Sequence, residues 1–262
     1  MSLPTEPVVV RQVGGTLWLT LNRIEALNAL NNAMLDTLLD RLREAAARVD
    51  VRCVVLAGAG DKAFCAGIDL AERQSLDAEG KGEQSRRVLA LVQALHLSPK
   101  PVVAAIGGWC LGAGLELALA CDVRIAAAEA RFAFPEMTLG AYPGGGGLVL
   151  LARLIGRARA MEWLLSNKRL SADEAQSLGL VSRCVPRKEL EAAVEQTGAC
   201  VASLAPLAVA ALKASIDQGL DLPLDQAFAI DQKFRRPLDA TNDYQEGLRA
   251  HKEKRSPVFT GS

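Results

Sequence analysis

Two short apolar runs, each ending on glycine, constrain the fold of this chain most: Val54-Val55-Leu56-Ala57-Gly58 and Val102-Val103-Ala104-Ala105-Ile106-Gly107. Their length and β-branched content read as buried strands, and the glycine after each is a turn signal. Helical spacing accompanies them. Leu27, Leu30, Met34, Leu35, Leu38, Leu39 and Leu42 predict a helix over about 29–49, and 84–97 reads as another that Ser98-Pro99 stops. A repeated unit of strand, glycine turn and helix predicts a layered α/β fold.

Around this repeat, 8–13 and 16–21 read as strands joined at Gly14-Gly15, a hairpin signal. Short strands are expected at 123–127 and 130–134, then helices at 147–155 and 158–165. Ser171 and Glu174 form a capping box that opens a further helix, and Gly179 ends it. Beyond Lys188 the pattern is helical, over 188–204, 207–220, 224–234 and 241–254, with breaks at Pro206, Pro223 and Pro237. The chain thus divides into an α/β core over 1–200 that carries the chemistry and a helical region over 201–262. No linker-like stretch separates them.

Charge narrows the partners. Lys plus Arg (30) equal Asp plus Glu (30), which leaves no basic field for nucleic acid or an anionic membrane. The nearly continuous apolar stretch over 102–120 approaches spanning length, but Glu116, Asp122 and the Gly107-Gly108 pair favour a buried strand, a turn and a helix. Six cysteines without a C-x-x-C pair, and two distant histidines, His96 and His251, give no metal-site spacing. Free buried thiols in a reducing cytoplasm are the expectation. Met1 to Pro7 lacks a leader's character, and the last residues are no peroxisomal address.

Glu116 and Glu136 each stand beside a glycine-dense turn in apolar sequence, where a carboxylate needs a reason. A helix starting at Gly112 exposes unpaired amides at its positive end, among them that of Ala113. Glu116 lies three residues on, along the same face. A second glycine-containing stretch, Ala63-Phe64-Cys65-Ala66-Gly67-Ile68-Asp69-Leu70, offers another such amide. Two amides converging on one oxygen make an oxyanion hole. Each cluster reads equally well as a tight turn.

Several blocks in order resemble the signature of the enoyl-CoA hydratase/isomerase (crotonase) family. They are Ala63 to Leu70, Trp109 to Ala118, and Pro135-Glu136 followed by Gly140 and Gly144 to Gly147. The stretches 21–30 and 252–259 resemble its flanking blocks. The resemblance covers nearly the whole chain, and it implies a crotonase-like spiral of repeated strand-strand-helix units with a C-terminal helical region. It implies an acyl-coenzyme A thioester substrate, no separate cofactor or metal, and a homotrimer or dimer of trimers built through the C-terminal helices. The oxyanion amides would be those of Ile68 and Ala113, and the catalytic carboxyls Glu116 and Glu136. Ala66, Gly67, Asp69, Leu70 and Gly112 from the blocks would bind substrate. Arg23 and Lys62 are candidate cations for the coenzyme phosphates, Tyr142 a candidate for the acyl pocket, and Phe259 would reach a neighbouring subunit's ligand.

The implied reaction is hydration of a 2-enoyl thioester to a 3-hydroxyacyl thioester. It adds oxygen at the β-carbon and a proton at the α-carbon, so one carboxyl activates water and the other supplies the proton. Glu116 is assigned as base and Glu136 as acid. The alternatives are a 3,2-enoyl-CoA isomerase, with one glutamate shuttling the proton, and a non-catalytic acyl-CoA or RNA-binding relative. Five positions depart from the resemblance: Ala113 stands for a common glycine, Ile68 for the usual alanine, Ile24 for a proline, and Leu148-Val149 for a Thr-Gln pair. The last puts substrate identity in doubt. His96 is expected to end a helix, and Trp109 to lie in the core.

Overall fold

The computed structural model describes residues 6–262; the leader reading of Met1–Thr5 lies outside the described residues. The hairpin forms as expected, β1 (Val8–Val13) pairing antiparallel with β2 (Thr16–Leu21) around Gly14 at φ +55°. Helix α1 (Asn32–Ala47) begins three residues later than its apolar spacing suggests. Asn31 caps it by accepting from Met34 N, and Leu27 and Asn28 before it hold left-handed φ.

The spiral follows. Its first turn is β3 (Cys53–Gly58), β4 (Ala63–Cys65), α2 (Leu70–Ser75) and α3 (Ala78–His96). The second is β5 (Val102–Ile106), β6 (Trp109–Leu111) and α4 (Ala113–Ala120), and the third β7 (Val123–Ala127), β8 (Arg131–Ala133), a 3-10 turn (Pro135–Leu139) and α5 (Gly147–Ile155). In each turn the first strand joins a six-stranded sheet, ordered β1-β2-β3-β5-β7-β10, and the second joins a four-stranded one, ordered β4-β6-β8-β9. The pairs β3/β5, β5/β7, β4/β6 and β6/β8 are parallel, so successive turns stack on one another, with one shift of register between Ala63 and Cys65 in β4/β6. Then come α6 (Arg157–Ser166), β9 (Leu170–Ser171), α7 (Ala172–Ser177) and β10 (Arg183–Val185), an edge strand with no periodicity to announce it. The Ser171–Glu174 capping box is present at α7.

The stretch over 102–120 is strand, turn, short strand and helix, with β5 and α4 buried throughout and Trp109 and Leu111 of β6 half-buried. No single helix among the described residues is long and apolar enough to cross a membrane. The main core fills the space between the two sheets and helices α1, α3 and α4, with Leu35, Leu56, Leu95, Leu115 and Phe132 essentially inaccessible. A second, smaller core lies between the other face of the large sheet and α8 (Leu190–Ala202). The division at residue 200 falls in the last turn of α8. Helices α9 (Pro206–Gly219), α10 (Leu224–Arg235) and α11 (Asn242–Glu253) complete the chain.

Candidate active site

Glu116 sits in the first turn of α4, whose eight residues are all buried. Its side chain, 2% exposed, points at the glycine run before α5, and Oε1 accepts from Gly145 N at 2.8 Å and Gly147 N at 2.9 Å. Only glycines fit there. A Cβ on Gly147 would lie 2.5 Å from Glu116 Cγ, and one on Gly145 would lie 2.8 Å from Glu116 Oε2. Burial raises the Glu116 pKa, and the two amides pull against that rise by holding the ionised form.

Glu136 follows Pro135 in the 3-10 turn and leans onto Gly112, where a Cβ would meet Glu136 Oε1 at 2.3 Å. Gly112 also holds φ +49°, so it is required twice over. The buried Oε2 of Glu136 has no hydrogen-bond partner among the described residues. Its pKa is pushed up to about 7, first by burial and then, against the pull of its own backbone amide, by the Glu116 charge. The two carboxyls therefore sit in opposed environments. Glu116 has donors that favour a charge, and Glu136 has an orphaned oxygen that favours a proton.

Both glutamates line one cleft of about 180 Å³ with Ala66, Gly67, Ile68, Leu70, Gly112, Ala113 and Tyr142. The amides of Ile68 and Ala113 donate to no acceptor among the described residues. A Cβ on Gly67, which holds φ +94°, would lie 3.5 Å from Ala113 N, so the residue before Ile68 abuts the start of α4. Two unpaired amides beside two acids can polarise a carbonyl while protons move nearby. Tyr142 is 69% exposed and forms part of the rim.

Four candidate binding residues do not line this cleft. Arg23 and Asp69 are spent on each other, Nη1 to Oδ2 at 2.8 Å, and Arg23 also donates to Ala29 O. Asp69 caps α2 by accepting from Ala71 N and Glu72 N. Lys62 is exposed outside the cleft, its carbonyl accepting from Trp109 N. Phe259 packs near Gly247, and its carbonyl accepts from Arg52. Leu148 and Val149 in α5 are not among the residues that line this cleft. His96 does end α3, whereas Trp109 is only half-buried, under the Arg169 guanidinium at 5.3 Å. Of the six cysteines Cys53, Cys65, Cys110 and Cys121 are buried; Cys184 is half-buried and Cys200 exposed, against expectation.

Sequence reasoning missed the part of the cleft wall supplied by Arg73, Ser85 and Val88. It also missed the Gly145 and Gly147 amides as donors, although a glycine run near a buried acid is a signal for them.

The enoyl-CoA hydratase/isomerase family profile matches residues 12–262. The 2,3-dehydroadipyl-CoA hydratase of Escherichia coli is 40% identical over 98% of this chain and 99% of its own. A crotonyl-CoA hydratase of Syntrophomonas wolfei is 39% identical over 92% and 93%. The crystal structure of an enoyl-CoA hydratase from Bacillus anthracis superposes with a TM-score of 0.96 at 37% identity, covering 98% of this chain and all of that one. With matches of that breadth, and a site assembled from the very blocks that carried the resemblance, the chain belongs to the enoyl-CoA hydratase/isomerase family.

Proposed function

We propose that this protein is a hydro-lyase, an enoyl-CoA hydratase that adds water across the double bond of a 2-enoyl-CoA thioester to give the 3-hydroxyacyl-CoA. The observation that carries this reading is the opposed pair: Glu116 held by two amides and Glu136 with an orphaned buried oxygen, on one cleft. The thioester oxygen binds the Ile68 and Ala113 amides, which stabilise the negative charge that grows on it as the β-carbon is attacked. Each such donor lowers the barrier by about 3 kcal/mol. Glu116, charged, takes a proton from water as its oxygen bonds to the β-carbon. Glu136, protonated near neutral pH, gives its proton to the α-carbon as the enolate collapses.

An isomerase needs only one carboxyl that alternately takes and gives a proton. The donors on Glu116 favour a committed base and so favour hydration. Assembly as a trimer or a dimer of trimers is supported by exposed apolar side chains on α9 and α10, among them Leu212, Ile216, Leu224 and Phe228. Placement in the cytoplasm rests on the free thiols. Coenzyme A enters as part of the substrate. Incubation with crotonyl-CoA in oxygen-18 water, followed by mass spectrometry, tests the reaction. The hydratase reading expects 3-hydroxybutyryl-CoA carrying one heavy oxygen, and an unlabelled product or a shifted double bond would overturn it.

A further inference from the structure

The cleft wall holds a permanent cation that the reaction above does not use. Arg73, in the last turn of α2, lines it beside Ser85 and Val88 of α3. Its Nη1 donates to Gln84 Oε1 at 3.0 Å and Lys81 O at 3.3 Å, both neutral. Gln84 is wholly buried and is anchored in turn by Glu72 Oε2 at 2.9 Å, which also accepts from Asn32 N. The guanidinium is therefore held from one side. Among the described residues no carboxylate forms an ion pair with Arg73, and its Nε and Nη2 donate to no protein acceptor.

A partly buried guanidinium without a counter-charge is costly, and its fork matches a carboxylate in bidentate geometry. Arg73 makes no hydrogen bond with Glu116 or Glu136; its contacts are with Gln84 and Lys81. Much of the remaining cleft lining is apolar, through Leu70, Val88, Leu139 and Pro143. At about 180 Å³ it is smaller than the roughly 300–1,000 Å³ of common ligand pockets, which suits a short chain.

We infer that Arg73 is a specificity-determining residue that selects 2-enoyl-CoA thioesters whose short acyl chain ends in a carboxylate. The reaction rests on the hydratase reading; the binding preference does not. Calorimetry with two saturated, unreactive thioesters, glutaryl-CoA and pentanoyl-CoA, separates the two. The wild type is expected to bind glutaryl-CoA at least about tenfold more tightly, the range of a charge-assisted hydrogen bond. Arg73→Met abolishes that margin and leaves pentanoyl-CoA binding unchanged, while Arg73→Lys restores part of it.

Equal binding of both thioesters by the wild type overturns the inference, and this arm stands even if the Met variant does not fold. An equal loss for both thioesters in Arg73→Met also overturns it, since Arg73 would then serve the coenzyme phosphates or the fold. In turnover, Arg73→Met raises KM for glutaconyl-CoA and not for crotonyl-CoA. If neither enoyl thioester is hydrated while the glutaryl preference persists, the hydratase reading fails and the role of Arg73 stands.

Discussion

Gly147→Ala asks whether the amide cradle of Glu116 matters. The new methyl would lie 2.5 Å from Glu116 Cγ, 2.9 Å from Cβ and 3.0 Å from Cα, and the last contact is with backbone that no rotamer change relieves. Glu116 must retreat from the Gly145 and Gly147 amides, now 2.8 and 2.9 Å from Oε1. A hydrogen bond to a charged group contributes about 1.5–3 kcal/mol. Losing both costs about 3–6 kcal/mol, or roughly 10²–10⁴ in rate if the ionised, oriented carboxylate is what the transition state needs. Without the amides burial acts unopposed, so the acid limb of the pH–rate profile moves to higher pH. The assay is loss of the conjugated thioester absorbance of crotonyl-CoA from pH 5 to 9. Gly144→Ala is the comparator, because its methyl would meet only Tyr142 O, at 4.0 Å, and it should lose far less. A folded Gly147→Ala enzyme with near-normal kcat/KM and an unmoved acid limb would refute the reasoning.

Two further outcomes follow from buried charge. The Glu136 pKa is raised from 4.5 to about 7, so its contribution to stability is fully present below 4.5 and is lost as pH rises through 7. Glu136→Gln should gain on the wild type by up to about 3 kcal/mol across that window. Denaturant midpoints at several pH values check this, and a difference independent of pH would contradict it. Arg124 is 6% exposed and donates to Leu180 O at 2.8 Å, Ala118 O at 3.2 Å and Cys121 O, tying the end of α4 to the segment after α7. Arg124→Met leaves these carbonyls without their donor, at about 1–3 kcal/mol each. A total loss below about 1 kcal/mol in urea unfolding would show that they find other partners.

The fold was most legible where a run was long or chemically punctuated. The β3 and β5 stretches, the Gly14-Gly15 hairpin and the Ser171–Glu174 box all stand as their residues suggest. The strands β4, β6 and β10 have three residues each, too few for a period to register, and pairing across the sheet creates them. The start of α1 was misplaced because apolar spacing runs on through the left-handed turn at Leu27 and Asn28. In the site, Glu116, Glu136 and the Gly112 turn were readable because acids and glycines are out of place in a core. The pairing of Arg23 with Asp69 at 2.8 Å could not be read from the sequence blocks, because a block does not show which of its charges meet in space. Arg73 was invisible for the opposite reason: an arginine on a short helix looks like surface until α3 packs beside it.

Turnover of crotonyl-CoA by Glu116→Gln and Glu136→Gln tests most directly whether two acids act on one thioester. Gln keeps the shape of each side chain and removes its ability to exchange a proton, so kcat should fall about 10²–10⁴-fold in each variant with the fold intact. Near-normal kcat in both folded variants would contradict the account.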